Sequence, residues 1–122
     1  MKFTAELIDN PWVIRAYEPG WIRIGETIHR HNLLLMPERI LEPWPVDALE
    51  RLTPEDLSSL TLHRPEVILF GTGAQQKLLH STLLAPLAEA GIGHEVMDTG
   101  AACRTYNILL SEGRSVLAAL IL

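Results

Sequence analysis

The segment "HEVMDTGAACRTYNILLSEGRSVLAALIL", residues 94–122, decides the fold because it passes from a strand to a helix and back to a strand. "HEVMD" has the length and composition of a short strand. Asp98 or Thr99 is placed to cap the helix that follows, and Gly113 stands just past its end. The apolar run "SVLAALIL" then predicts a buried strand. We expect the two strands to be parallel and joined by a right-handed crossover.

The residues before this segment repeat the same pattern. "EVILFGTG", residues 66–73, is an apolar run that ends in glycines and predicts a strand. "STLLAPLAEAGIG", residues 81–93, has leucines at helical spacing and Gly91 as a stop signal, which predicts a helix. Residues 64–122 therefore predict a β-α-β-α-β unit with parallel strands. The unbroken apolar character of its first and last strands is typical of a sheet covered on both faces.

The first 45 residues have a different, mainly β pattern. "WVIRAY" (residues 12–17) and "WIRIGETIHRH" (residues 21–31) carry β-branched and aromatic residues, and the "EPGW" between them predicts a type II turn in an antiparallel hairpin. "NLLLM" predicts a buried strand, and "RILEPW" predicts another extended piece. Further on, Thr53-Pro54-Glu55-Asp56 has the capping residue, proline and acids typical of the start of a short helix.

The composition limits the classes of protein to which the chain can belong. Its 122 residues suffice for a core of its own, so we expect a single domain over residues 1–122. The net charge of -5 and the scattered Lys and Arg argue against binding to nucleic acid. No apolar run is long enough for a membrane span, and Asp9, Asn10 and Pro11 interrupt any secretory leader. With a single cysteine, Cys103, the chain is predicted to be cytoplasmic.

Asp98-Thr99-Gly100-Ala101 matches the tetrapeptide that carries the catalytic aspartate of retroviral-type aspartic proteases. Such a site needs two aspartates that share one proton, within an all-β frame. Only 24 residues follow Asp98, they predict a helix and a strand, and the sequence has no second Asp-Thr-Gly. We therefore favour helix capping over protease chemistry for this motif.

"FGTGAQQK", residues 70–77, is a glycine-rich loop directly after a predicted strand. A dinucleotide-binding fold requires a third glycine where Gln76 stands, and the Gly-Lys-Ser/Thr ending of a P-loop is absent. Asp98 falls at the end of the next strand, near the position of a ribose-binding acid. Only three parallel strands are available, so we favour a tight exit from the strand over a nucleotide site.

Two loops are predicted to meet at one edge of the sheet. Gly71-Thr72-Gly73 and Asp98-Thr99-Gly100 follow successive parallel strands, whose carboxyl ends lie together beside helix N-termini. Arg104, one turn into the last helix, could reach back to Asp98 or to a bound anion. The alternative is that Arg104 pairs with a surface carboxylate. A ligand or small anion, if the domain binds one, is expected at this edge.

Other reactive side chains indicate a site less strongly. Cys103 lies beside Arg104 near a helix start, which favours a lowered thiol pKa, but a nucleophile also needs a base, so a buried small residue is the preferred interpretation. His29 and His31 would share one face of a strand and could offer two metal ligands. Nothing completes a ligand set, so we expect two solvent-side imidazoles. No metal, cofactor or catalytic residue is predicted.

"PEVILFGTG", "LLAPLAEAGIGHEVMDTGAACRTYNILLSEGRSVLAALIL" and "NLLLMP" together resemble a family of small domains of unknown function. The family includes bacterial and archaeal proteins, the mitochondrial respiratory complex I assembly factor three and the adipogenesis-associated domain protein. The resemblance covers about residues 21–122. Its most specific markers are Gly71-Thr72-Gly73 after an apolar strand and Met97-Asp98-Thr99 with Ala101, Ala102 and Asn107 downstream. Asn107 therefore joins the candidate pocket of Gly71, Thr72, Gly73, Asp98, Thr99 and Arg104.

The resemblance implies a single α/β domain in which a mixed sheet is flanked by helices, with a small antiparallel layer from the N-terminal half. It carries no agreed catalytic residues, and the mitochondrial members act as assembly or interaction proteins. This chain shows no presequence, so a mitochondrial role is not implied. "QQKLLHS" also replaces a segment that we expect to be richer in Arg or Pro.

Two functions from different classes remain open. The leading prediction is a non-enzymatic interaction or assembly factor with a protein partner, which would use the strand-end loops or the tryptophan-bearing hairpin. Trp12, Trp21 and Trp44 either close the core or, exposed together, mark that partner surface. The alternative is a small-molecule or anion-binding protein or enzyme with its site at the carboxyl ends of the parallel strands.

Overall fold

The computed structural model describes residues 10–122, in which eight strands, three α-helices and one 3-10 helix occur. Residues 1–9, part of the segment where no leader is expected, lie outside the described residues. The strands are β1 (Ile14–Glu18), β2 (Trp21–Ile24), β3 (Thr27–His29), β4 (Leu33–Met36), β5 (Arg39–Leu41), β6 (Val67–Gly71), β7 (Gly93–Met97) and β8 (Val116–Leu120). The helices are a 3-10 helix (Leu49–Arg51), α1 (Pro54–Thr61), α2 (Ala85–Glu89) and α3 (Thr99–Ser111).

The main sheet has five strands in the order β5-β4-β8-β6-β7. β6 is parallel to both β7 and β8, whereas β4 is antiparallel to β8 and to β5. The parallel β-α-β-α-β unit and the mixed sheet are both confirmed. Because β6 and β7 run in the same direction, the loops after Gly71 and after Met97 leave the sheet at the same edge.

A second sheet contains β1, β2 and β3 in antiparallel order. Its first turn is the predicted one, and the positive φ of 97° at Gly20 fits the third position of a type II turn. The prediction of one continuous strand over residues 21–31 is wrong, because the chain turns back at Gly25 between β2 and β3. A Cβ at Gly25 would lie 2.5 Å from the carbonyl oxygen of Pro11, so only glycine allows this close approach.

The main sheet buries both of its faces. Successive residues of a strand point to opposite sides, so Leu34 and Phe70 lie in one core and Leu35 and Leu69 lie in the other. The first core is covered by leucines of α1, α2 and the 3-10 helix and includes Trp44. The second is covered by α3 and by isoleucines of β1 and β2. The continuous apolar runs in the sequence are thus explained, because alternate residues of these strands pack into the two cores.

The helices follow their local signals with one difference in length. Thr53 caps the start of α1, as predicted, and Asp56 bonds back to the N–H of Thr53, which completes a reciprocal capping box. The helix expected within residues 81–91 is shorter, because only Ala85–Glu89 is α-helical and turns precede it. Pro86 has no backbone N–H to donate to an earlier carbonyl, so it is tolerated only in the first turn, and the helix begins at Ala85, one residue before it.

Candidate functional site

The two loops predicted to meet are joined by three hydrogen bonds, and a fourth ties Thr99 to the residue after β8. The backbone N–H of Thr72 donates to the carbonyl oxygen of Met97, and that of Thr99 donates to Gly73, each at 2.9 Å. The Thr99 hydroxyl accepts from the N–H of Gly73 at 2.8 Å and donates to the carbonyl of Ile121 at 2.6 Å. Thr99 has no exposed surface. The structure therefore brings these predicted site residues together, as a joint between β6, α3 and the end of β8.

The glycines and threonines of this joint lie inside the protein. The Thr72 hydroxyl donates to the carbonyl oxygen of Gln75 at 2.5 Å, and only 4% of Thr72 is exposed. A Cβ at Gly71 would lie 2.8 Å from the Thr99 hydroxyl oxygen, so the absence of a side chain is needed for the contact. Gly73 has a φ of 98°, which favours glycine for conformational reasons. The hydroxyl groups here bond to the protein itself.

Asp98 caps α3. Its side-chain oxygen Oδ1 accepts from the backbone N–H of Ala101 at 2.9 Å, which satisfies one of the free donors at the helix start. The favoured interpretation of the Asp-Thr-Gly motif as a strand end that turns into a capped helix is confirmed.

Arg104 and Asn107 do not belong to the strand-end joint. They line a cleft of about 330 Å³ between β1 and α3. The amide of Asn107 holds both backbone groups of Ile14: Oδ1 accepts from its N–H at 3.0 Å, and Nδ2 donates to its carbonyl at 2.8 Å. Arg104 is exposed and forms no salt bridge within the part of the chain that the structure describes. The predicted pocket is thus divided between an internal joint and this cleft.

Cys103 is 5% exposed, and burial raises the pKa of its thiol to about 12. The nearby Asp98 raises this pKa further, while Arg104 acts in the opposite direction with a smaller effect than burial. The interpretation of Cys103 as a buried small residue is confirmed. At neutral pH the group is a protonated thiol, which is a poor nucleophile.

A larger cleft of about 630 Å³ lies on the tryptophan-bearing hairpin. We call it the Trp12 cleft. Apolar walls come from Pro11, Trp12, Ile24 and Ile40, while Gly25 lies at the turn between β2 and β3. The remaining lining residues are polar: Asn10, Arg15, Glu26, Thr27 and His29. The sequence offered one signal for this surface, the position of Trp12 beside the hairpin, but it did not identify the residues that complete it.

His29 is one of the residues that the sequence interpretation placed wrongly. Its side chain is only 9% exposed rather than directed to solvent, because its Nδ1 lies 2.8 Å from Oε1 of Glu42. Its Nε2 is buried and has no hydrogen-bond partner. His31 is exposed, as expected. Among residues 10–122, no group of three or more His, Cys, Asp or Glu side chains is arranged to hold a metal ion.

The comparisons with known proteins place the chain in a family. The profile described as "Protein of unknown function (DUF498/DUF598)" matches residues 14–121. The chain belongs to this family. The match includes both sheets and all three α-helices of the DUF498 domain, together with most residues of the two clefts.

Two curated relatives of this DUF498 domain have different names. Over 111 residues it is 39% identical to "NADH dehydrogenase [ubiquinone] 1 alpha subcomplex assembly factor 3" of Danio rerio, which covers 89% of this chain and 63% of that relative. It is 32% identical over 119 residues to the "13 kDa major membrane protein" of Francisella tularensis, which covers 95% of both. The chain spans less than two thirds of the Danio rerio assembly factor.

Solved structures confirm the architecture. A crystal structure of a Bordetella parapertussis protein has 41% identity and a TM-score of 0.82, and covers 88% of this chain and 92% of that one. The solution structure of a Bordetella pertussis protein described as a Mth938-like domain has 32% identity and a TM-score of 0.78, with coverage of 98% and 91%. Within residues 10–122 of the DUF498 domain, no helix has the length and apolar character needed to cross a membrane.

Proposed function

We propose that this DUF498 domain is a non-catalytic protein-binding module of the cytoplasm that assists the assembly of another protein. The observation that carries the proposal is the Trp12 cleft, which has a volume of about 630 Å³ and walls that include the exposed Pro11 and the partly exposed Trp12 and Ile40. Exposed apolar surface rimmed by polar residues is typical of interaction sites, and tryptophan is enriched among the residues that dominate binding energy. The free Cys103 suits the reducing cytoplasm.

The strand-end joint supports a non-catalytic role. The hydroxyls of Thr72 and Thr99 are bonded to backbone carbonyls, and burial keeps the Cys103 thiol protonated. A covalent mechanism requires a nucleophile that is exposed and activated by a neighbouring base. None of these three groups fits that description, so the joint supplies no nucleophile for group transfer.

The relatives support a protein partner. The Danio rerio relative is named as an assembly factor, and the region shared with it is 89% of this chain. We propose that this shared domain, rather than the remainder of that longer protein, supplies a surface that holds a partner during assembly. The identity of the partner need not be the same in the two proteins.

Native mass spectrometry of the protein purified from its own cells tests this function. Thr27 is exposed and lines the Trp12 cleft, so Thr27→Arg fills the cleft with a charged side chain without removing core contacts. Thr82→Arg makes the same change at an exposed residue that does not line the cleft. We expect wild type, Thr82→Arg and Arg104→Ala to retain a stoichiometric protein partner and Thr27→Arg to lose it.

Two results would contradict the protein-binding function. One is a bound metabolite as the dominant species, with no protein partner. The other is a partner that Thr27→Arg retains as well as wild type does. Thermal unfolding of each variant, followed by circular dichroism, shows whether a lost partner reflects the cleft or a lost fold.

The second candidate is an anion-binding protein or enzyme; because the strand-end joint is internal, its site would be the cleft between β1 and α3. The observation that favours it is Arg104, which lines the 330 Å³ cleft and has no salt-bridge partner among residues 10–122. In this proposal Arg104 and Asn107 face the anion, while Gly71, Thr72, Gly73, Asp98 and Thr99 fix the start of α3. Inorganic phosphate should then shift the amide resonances of residues 100–107, and Arg104→Ala should abolish the shifts. Unchanged spectra at millimolar phosphate would exclude it.

A further inference from the structure

His29 is held in one orientation by Glu42. The distance of 2.8 Å between Nδ1 and Oε1 is that of a strong hydrogen bond. A carboxylate can only accept, so Nδ1 carries the hydrogen atom. In the neutral ring this leaves a lone pair on Nε2, and Nε2 is therefore a hydrogen-bond acceptor.

That acceptor has no donor among residues 10–122. Nε2 is buried without a hydrogen-bond partner, although His29 is one of the lining residues of the Trp12 cleft. A buried polar atom without a partner costs stability, and most such atoms in folded proteins are satisfied. A ligand in the cleft that donates a hydrogen bond to Nε2 would remove this cost. Nε2 therefore favours ligands that carry a hydrogen-bond donor over ligands that are entirely apolar.

We propose that the Trp12 cleft receives a tyrosine side chain of the partner, whose hydroxyl donates to Nε2 of His29. This rests on the protein-binding function and specifies the chemistry of the partner. Trp12, Ile24 and Ile40 provide apolar walls for an aromatic ring, and a cleft of about 630 Å³ has room for it. A neutral hydroxyl is favoured over an ammonium group because burying a charge costs more.

The position of Nε2 also favours tyrosine over other aromatic donors. Nε2 is buried and His29 lines the cleft, so a donor that reaches this atom has to be carried at the narrow end of the ring. Tyrosine carries its hydroxyl at that end, whereas the N–H of tryptophan is on the side of a wider ring. A side-chain shift in the cleft wall admits the ring, as is common when interfaces form.

A matched pair of probes tests the proposal on the full chain. N-acetyl-tyrosinamide and N-acetyl-phenylalaninamide differ only in the hydroxyl group, and their dissociation constants can be measured from the shift of the Trp12 indole N–H resonance. We expect the tyrosine probe to bind roughly tenfold more tightly, as one neutral hydrogen bond provides. In His29→Phe the two affinities should become equal. Equal affinities in wild type, no saturable binding of either probe, or a preference that survives in His29→Phe would each overturn the proposal.

A second measurement does not depend on the variant folding. In wild type, the ¹⁵N resonance of His29 Nε2 should move when the tyrosine probe is added and stay in place with the phenylalanine probe. If it responds to both or to neither, the contact is refuted.

The tyrosine contact and the protein-binding function can fail separately. If Thr27→Arg loses the protein partner but the two probes bind wild type equally, only the tyrosine contact is refuted. If the tyrosine probe binds more tightly but no protein partner is found, only the protein-binding function is refuted.

Discussion

The hydroxyl oxygen of Thr99 accepts the backbone N–H of Gly73 at 2.8 Å, although 25 residues separate the two in the chain. The same hydroxyl donates to the carbonyl of Ile121, which follows β8. One buried side chain therefore connects the loop after β6, the first residue of α3 and the end of β8. If Thr99 and its neighbours hold the fold together, the variants below should lose stability. If they only bind a ligand, the ligand-free variants should be as stable as wild type.

Thr99→Val removes the hydroxyl and keeps the shape of the side chain. The N–H of Gly73 and the carbonyl of Ile121 then lose their bonds in a buried site. We expect the free energy of unfolding to fall by about 2–6 kcal/mol, since two groups are left unpaired and each costs about 1–3 kcal/mol. Urea unfolding measures this. Thr82→Val, at an exposed threonine, should change stability by less than about 0.5 kcal/mol. Wild-type stability of Thr99→Val would contradict a structural role for the hydroxyl.

Gly71→Ala tests the close approach between β6 and α3. The new methyl group would lie 2.8 Å from the Thr99 hydroxyl oxygen and 2.9 Å from Cδ2 of Leu120. We expect a loss of about 1–3 kcal/mol in the free energy of unfolding from this overpacking. Gly93→Ala, in the neighbouring strand β7, is the matched control because its nearest contact is an ordinary 3.7 Å. Equal stability of the two variants would contradict the tight packing at Gly71.

Asn107→Asp tests the amide that joins α3 to β1. The carboxylate still accepts from the N–H of Ile14, but it cannot donate to the carbonyl of Ile14, which it would instead repel. We expect a loss of about 1–3 kcal/mol in stability. The Ile14 amide should also exchange faster with solvent deuterium. If Asn107 served a ligand alone, the ligand-free variant would keep wild-type stability and exchange.

The buried thiol makes two connected predictions. At neutral pH, iodoacetamide should label Cys103 roughly a thousandfold more slowly than a free thiol, because a pKa of about 12 leaves little thiolate. Labelling at the rate of a free thiol would show that the site opens or that the thiol is activated. Labelling in urea, which exposes the residue, provides the positive control.

Stability should also fall in alkaline solution. The folded protein keeps the thiol proton up to a pKa of about 12, whereas the unfolded chain loses it near 9.0, so the contribution of Cys103 declines as the pH rises between these values. Burial raises the pKa of Tyr106 too, and that residue adds a decline of the same sign. Cys103→Ala should therefore show a shallower fall than wild type. Identical pH profiles for the two proteins would contradict a contribution from the thiol.

The parts of the fold that follow from local sequence were predictable. Apolar runs, the Thr53 cap and the glycine stops predict the strands and helices of residues 64–122 and their order. The meeting of Gly73 with Thr99 also follows, because successive parallel strands end at one edge of a sheet. The short length of α2 also has a local cause, Pro86 in its first turn. The sequence analysis relied on the helical spacing of the leucines and so predicted a longer helix.

The features that were missed depend on contacts between distant residues. The turn at Gly25 packs against the Pro11 carbonyl, and the buried His29 is hydrogen-bonded to Glu42, which follows 13 residues later. Asn107 bonds to a backbone 93 residues away. A strand pattern gives no information about such partners. The Trp12 cleft, which is built from these elements, could not be assembled from the sequence for the same reason.

The position of β8 in the main sheet has a consequence for synthesis on the ribosome. β8 lies between β4 and β6, and it is the only strand that joins β4 and β5 to β6 and β7 within the described sheet. Without β8, the topology leaves β4 paired only with β5 and β6 paired only with β7, so each pair has one edge that β8 would otherwise cover. We expect the nascent domain to depend on protection from edge-to-edge aggregation until that last strand arrives.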